Sequence, residues 1–170
     1  GLKLAQFLER HGEHLWVRSA SELSVDSFGE RNIIFVGTPG TSDHVQTLLA
    51  DANFYINPGQ SGVVHNRRPA ANEPARFEEA EISPQRSVIP GVITLVPGKG
   101  GGTKVLVLSS RYPASLVSFL LAPNSIGIMY RLWKSNGQPE FFEAVVLGYV
   151  EGNTVLKTKT AAFRAVSLSH

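Results

Sequence analysis

Hydroxyl-bearing residues and glycines gather at two places where an apolar, β-branched run gives way to a helical pattern. Ile33-Ile34-Phe35-Val36 exits into Gly37, Thr38, Gly40, Thr41 and Ser42, and Val105 to Leu108 exits into Ser109, Ser110 and Arg111. Open α/β sheets bind ligands beyond the carboxyl ends of their strands. If the two runs are neighbouring parallel strands, Gly37, Thr38, Thr41, Ser42, Ser109, Ser110 and Arg111 share one end of the sheet. Two helix N-termini and a guanidinium there would suit a small anion. The competing role of such hydroxyls is helix capping.

A second polar cluster reads Asn66-Arg67-Arg68-Pro69, followed by Glu73-Pro74. Arginines at a strand end can clamp a carboxylate or phosphate. With Glu73, Glu78 and Glu79 so near in sequence, we favour internal pairing of Arg67 and Arg68 that pins the long loop.

Other motifs fall short of their chemistry. Gly98-Lys-Gly-Gly-Gly-Thr103 has glycines and a lysine, but the lysine precedes the glycines and a strand follows. A phosphate loop needs a helix N-terminus there, so this segment reads as a hairpin connection. The histidines His11, His14, His44, His65 and His170 lack the spacing of a metal site, and no metal or cofactor is expected. Gly59-Gln-Ser61-Gly-Val63 misses the last glycine of a nucleophile elbow. Zero cysteine removes thiolate nucleophiles and disulfides. An enzyme is therefore the less favoured reading.

The elements that would position these residues follow from periodicity. Leu4, Phe7, Leu8 and His11 share a helical face that Gly12 would end, and Leu15 to Arg18 reads as a short strand. The unbroken run Ile33 to Val36 reads as a strand covered on both faces. Val45, Leu48, Leu49 and Ala52 mark an amphipathic helix, with Ser42 or Asp43 as its N-cap. Phe54 to Ile56 and Val63 to His65 are short strands, and residues 67–90 are a surface excursion with room for one irregular strand. Val92 to Val96 and Val105 to Leu108 are strands. One helix starts near Pro113, and another begins at Asn124 or Ser125 with Ile126, Met129, Tyr130 and Trp133 as its buried stripe. Phe141 to Val150, the turn Glu151-Gly-Asn153 and Val155 to Val166 form a hairpin. The expected fold is α/β, with a mixed, mostly parallel central sheet flanked by helices and a C-terminal antiparallel hairpin.

At 170 residues the chain fits one domain, expected to span 2–170. The start Gly1-Leu-Lys without Met reads as a cleavage scar, and the domain as one cut from a longer protein. The compartment stays open: cytoplasmic, or tethered outside the inner membrane by an upstream segment. No apolar run is long enough to span a bilayer. Residues 1–90 carry 11 acids and 8 bases, and residues 91–170 carry 3 acids and 8 bases. The basic half lacks a helix with several Lys or Arg on one face, so no direct nucleic-acid binding is expected.

Several segments in order resemble an uncharacterised α/β domain of acidobacterial-type bacterial regulatory proteins, found C-terminal to winged-helix or anti-sigma-like modules. They are Arg18-Ser-Ala-Ser-Glu-Leu23, Asn32-Ile-Ile-Phe-Val-Gly37, Asn66-Arg-Arg-Pro69 with Glu73-Pro74, Val92 to Pro97 leading into Lys104-Val-Leu-Val-Leu108, and Phe142-Glu-Ala-Val145. One departure is Ser109-Ser-Arg-Tyr-Pro-Ala-Ser115, where such domains look to carry a glycine-rich turn. The resemblance implies a sensory or effector-input role within a regulator, with adjoining domains as partners. The leading expectation is thus a non-catalytic ligand-input domain for a small anion. Its alternatives are a protein-interaction or homodimerisation module using the C-terminal strands, and then a small hydrolase or transferase acting on an anionic substrate.

Overall fold

The protein is described by a computed structural model over residues 2–10, 17–24, 26–100 and 102–166. The first elements are α1 (Leu2–Arg10), α2 (Ser27–Glu30), β1 (Ile33–Gly37) and α3 (Asp43–Leu48). Five strands follow: β2 (Phe54–Tyr55), β3 (Val63–Asn66), β4 (Arg76–Glu78), β5 (Ala80–Ser83) and β6 (Arg86–Pro97). The rest is β7 (Lys104–Ser110), α4 (Pro113–Leu121), α5 (Pro123–Ser135), β8 (Phe142–Glu151) and β9 (Thr154–Ala165).

The main sheet runs β1-β7-β6-β8-β9, with β5 added against the outer half of β6, and β2-β3-β4 form a second, small sheet. The sheet is mixed, as expected, but not mostly parallel. Only β1 and β7 run parallel, while β5–β6, β6–β7, β6–β8 and β8–β9 are all antiparallel. The physical reason lies in Pro97 to Thr103. This connection closes as a hairpin, the Gly98 N–H donating to the Thr103 carbonyl at 2.7 Å, and so reverses the chain between β6 and β7. The C-terminal hairpin β8–β9 forms as read, with Gly152 at φ +55° in its turn.

Alternation along the strands divides the core between two faces. Ile93, Leu108, Ala144 and Val146 meet Leu116, Val117 and Phe119 of α4, Met129 of α5 and Leu4 of α1. On the other face, Val96, Val105 and Val107 meet Val45 of α3 together with Phe28 and Phe35. Beside them, Val92, Val145 and Ala162 meet Phe54, Ile56 and Val64 of the small-sheet layer.

Some local expectations change. Strand β6 is much longer than Val92 to Val96. Pro90 hid its first half, yet a proline is tolerated there because it falls between the end of the β5 pairing and the start of the β7 pairing. Strand β1 lies at the sheet edge with Ile34 39% exposed, so it is not covered on both faces. In α5 only Met129 of the expected stripe is buried, while Ile126 and Tyr130 are exposed, and α5 begins at Pro123 after an Ala122 cap. Val17 and Arg18 form no strand, and His11, Gly12, Leu15 and Trp16 lie outside the described residues.

One glycine of the β6–β7 connection, Gly98, has a packing role. A Cβ on Gly98 would run into Thr103 Oγ1 and the Phe28 carbonyl. That same carbonyl accepts from Thr103 Oγ1 at 2.6 Å and from the Lys99 N–H at 3.0 Å, which docks α2 on the hairpin. Gly98→Ala is therefore expected to destabilise by about 1–3 kcal/mol through forced displacement. A urea titration following tryptophan fluorescence reads this directly, and an unchanged midpoint would refute the close-approach role.

Candidate functional site

The two strand exits do lie side by side. Strand β1 pairs in parallel with β7, with Gly37 in register with Ser109. The residues beyond them then separate. Period-two alternation puts Ser109 on the face of Val105 and Val107, which holds α3, and Ser110 on the face of Leu108, which holds α4. The two helix N-termini thus sit at one end of the sheet but on opposite faces.

Most of the expected hydroxyls are engaged locally. Ser42 accepts from the Val45 N–H at 3.4 Å as the N-cap of α3, and Thr41 Oγ1 donates to the Thr38 carbonyl at 2.8 Å. Ser110 Oγ donates to the Pro90 carbonyl and accepts from the Tyr112 N–H, each at 3.1 Å. Arg111 turns toward the β5–β6 side and pairs with Glu79 at 2.8 Å. It borders an open groove of about 550 Å³ with Gln85, Ile89 and Glu151. Ser109 stands apart: it is 2% exposed, and its Oγ has no hydrogen-bond partner among the described residues.

Ser109 contributes to the floor of a pocket of about 160 Å³, together with Val92 and Thr94 of β6. Gln46, Leu49 and Ala50 from α3 and the turn after it form one wall. Tyr55, Ile56, Asn57, Pro58 and Arg67 form the other. Arg67 is the sole charged residue among those lining it, and its guanidinium lies 4.5 Å from the Tyr55 ring centroid. His65 stacks on the same ring at 5.0 Å, as cross-strand partner of Tyr55. This stack stiffens the pocket rim, because Arg67 gains a cation–π contact where it would otherwise be a loose surface chain. Asn57 Nδ2 donates to Gln60 Oε1 at 3.3 Å, which orders the turn beside it.

The expected internal pairing of Arg67 and Arg68 is not what the acids do. Glu73 pairs with Arg164, Glu78 with Arg76, and Glu79 with Arg111. The loop is pinned instead through Asn53 and Asn66. Asn53 accepts from the Arg67 N–H at 3.0 Å on its carbonyl and from the Arg68 N–H at 2.8 Å on Oδ1. Its Nδ2 donates to Asn66 Oδ1 at 2.8 Å, and Asn66 Nδ2 donates onward to Glu73 at 3.1 Å. These bonds fix the backbone of residues 66–68 and leave both arginine side chains exposed.

Beneath this loop lies a residue that the motif search passed over. Glu143, the second residue of β8, is 2% exposed and accepts from the backbone N–H groups of Asn53 at 3.1 Å and Phe54 at 2.9 Å. Burial pushes its carboxyl above the ordinary value, and the Phe54 and Asn53 N–H groups with the charges of Arg164 and Arg68 pull it back only in part. Burial would raise Glu73 as well. There the Ala70 N–H, the Asn66 amide and Arg164 outweigh it and hold the carboxyl below its ordinary value. The signal for Glu143 was present in the sequence as a lone acid inside the apolar run 141–150.

Among the described residues no group of three metal-ligating side chains comes together. His65 serves in the Tyr55 stack, and His44 makes an edge contact with Phe28 at 6.2 Å. His11, His14 and His170 lie outside the described residues. No single helix among the described residues is long and apolar enough to cross a membrane. Compared with known proteins, the chain matches no family model, no curated protein and no solved structure.

Proposed function

We propose that this chain is a non-catalytic ligand-input domain of a bacterial regulator, and that its ligand occupies the pocket between α3, the small sheet and strands β6 and β7. The observation that carries this reading is Ser109, a residue lining the pocket whose buried Oγ has no hydrogen-bond partner among the described residues. A buried hydroxyl left unpaired costs on the order of 1–3 kcal/mol, and a ligand atom that satisfies it recovers that cost on binding. Among the described residues the lining contains no carboxylate or imidazole, the side chains that most often act as general bases. Binding there would bear on α3 and on the Tyr55–Arg67 rim together, which gives a ligand two separate elements to draw onto the sheet.

A thermal-shift screen of small metabolites tests the reading. A ligand present at 100 times its Kd should raise Tm by about 5–11 °C for a domain of this size. Its binding should also shift the amide resonances of Thr94 and Ser109. A screen without any stabilising compound, or one whose hits shift only residues remote from the pocket, would overturn it.

A second reading, a self-association module, rests on β9. It is an edge strand of 12 residues with Leu156 half exposed. Lys157 and Lys159 on that strand oppose edge pairing, and light scattering at high concentration separates a dimer from a monomer.

A further inference from the structure

Resting on the pocket reading above, we propose that the ligand is a small carboxylate whose acid group meets Arg67 at the rim and whose polar far end meets Ser109 at the floor. The pocket has three zones. The rim carries one positive charge, Arg67, and no negative charge among its lining residues. The middle is apolar, built from Leu49, Phe54, Ile56, Pro58 and Val92. The floor presents the hydroxyl-bearing residues Thr94 and Ser109, both nine-tenths buried or more.

Each zone selects a chemistry. Glu73, Glu78 and Glu79 are occupied by Arg164, Arg76 and Arg111, so Arg67 keeps its hydrogen-bonding fork for an incoming anion. Tyr55 holds the flat face of the guanidinium at 4.5 Å, while the Asn53 carbonyl fixes its backbone N–H at 3.0 Å. A planar fork fixed in this way matches a carboxylate in two parallel hydrogen bonds. Ser109 Oγ can donate or accept, so it fits a keto or hydroxyl group at the ligand's other end.

Size narrows the class further. A cavity of about 160 Å³ has room for about five water molecules at 30 Å³ each. Pockets for drug-sized ligands run from about 300 Å³ upward. An oxo or hydroxy acid of about five carbons fills a space of this size, whereas most of a nucleotide would project beyond the rim.

The test titrates the ¹⁵N-labelled protein with 4-oxopentanoate, 4-oxopentanamide and pentanoate, followed by amide chemical shifts. The proposal expects 4-oxopentanoate to bind with shifts at Thr94, Ser109 and Arg67, and the amide to bind at least tenfold more weakly. Arg67→Gln should abolish that preference for the acid over the amide, with its own fold checked by the unperturbed remainder of the spectrum. Ser109→Ala should weaken 4-oxopentanoate about tenfold and leave pentanoate unchanged. If acid and amide bind equally at the pocket, or a neutral compound from the screen binds there and the acids do not, the carboxylate assignment falls while the pocket reading stands. If neither the acids nor any compound of the screen shifts the pocket resonances, both fall.

Discussion

Glu143→Ala is expected to lower the unfolding free energy at pH 7 by about 2–4 kcal/mol, measured by urea titration. The carboxylate is 2% exposed, and each oxygen serves a different backbone N–H, that of Asn53 and that of Phe54. Alanine leaves two buried donors unpaired, at about 1–3 kcal/mol each, against which the relief from burying a carboxylate is subtracted. The same change frees Asn53, whose carbonyl and side chain hold residues 66–68. The Arg67 rim should therefore loosen together with the core. Glu143→Gln keeps one acceptor and turns an amide N–H₂ toward the other donor, so it should fall between wild type and alanine.

The pH profile separates the charge from the hydrogen bonds. Because folding raises the Glu143 carboxyl above 4.5, the folded state binds the proton more tightly than the unfolded chain. Its contribution to stability is complete below 4.5 and is lost as pH rises through the raised folded value. Glu73 acts in the opposite sense. Its carboxyl is held below 4.5 in the fold, so its contribution is present above 4.5 and is lost as pH falls through the lowered value. The stability difference between wild type and Glu143→Gln should thus grow from pH 7 down to about 4.5 and then level off. A difference independent of pH would mean that Glu143 titrates alike in the folded and unfolded chain.

How much of this was legible in the sequence depends on the range of the forces involved. Local signals worked: the 113–121 helix was readable from its opening proline and its Leu116/Leu120 and Val117/Leu121 pairs, and the 151–153 turn from its glycine. The adjacency of β1 and β7 is only a condition at the level of sequence, and their parallel pairing in the fold meets it. Direction is harder: the 98–103 hairpin is itself legible in its glycines, but the antiparallel β6–β7 pair that it imposes conflicts with the expectation of a mostly parallel sheet. The residues expected to form one site separate in the fold. Ser109, Ser110 and Arg111 were grouped as one exit, yet successive residues at a strand end face opposite ways, and only Ser109 reaches the pocket. For Arg67 the sequence favours internal pairing with Glu73, Glu78 or Glu79 over clamping an anion, and those acids pair with Arg164, Arg76 and Arg111 instead. Tyr55 beside Arg67 and the wall from α3 are contributed by segments that meet only in the folded chain. Glu143 belongs to no cluster of polar residues in the sequence, since its partners are backbone N–H groups 89 and 90 residues away.

The largest effect on the opposite face of the sheet is expected at Gly148, where valine should cost about 3 kcal/mol or more. Helix α4 lies so close to β8 that a Cβ on Gly148 would stand 2.5 Å from Ser115 Cβ and 2.9 Å from Ser115 Oγ. Ser115 is fully buried, and its hydroxyl is tied to the Tyr112 carbonyl at 2.9 Å, so it cannot swing aside. Retreat of the helix as a whole is the alternative. It would open space around Leu116 and Phe119, both almost wholly buried on that face, and forfeit their contacts with Ile93, Leu108 and Val146. Gly91 marks the same close approach one strand over, since a Cβ there would meet Ser110 Cβ at 2.9 Å and Leu116 at 3.0 Å. The close approach has a specific signature. Ser115→Gly alone loses the hydrogen bond to the Tyr112 carbonyl and helix propensity, about 1–2 kcal/mol, but combined with Gly148→Ala it should recover most of what the alanine costs. Additive losses in that double-mutant cycle, read from urea midpoints, would mean that Gly148 matters for its backbone and not for the seat it gives the helix.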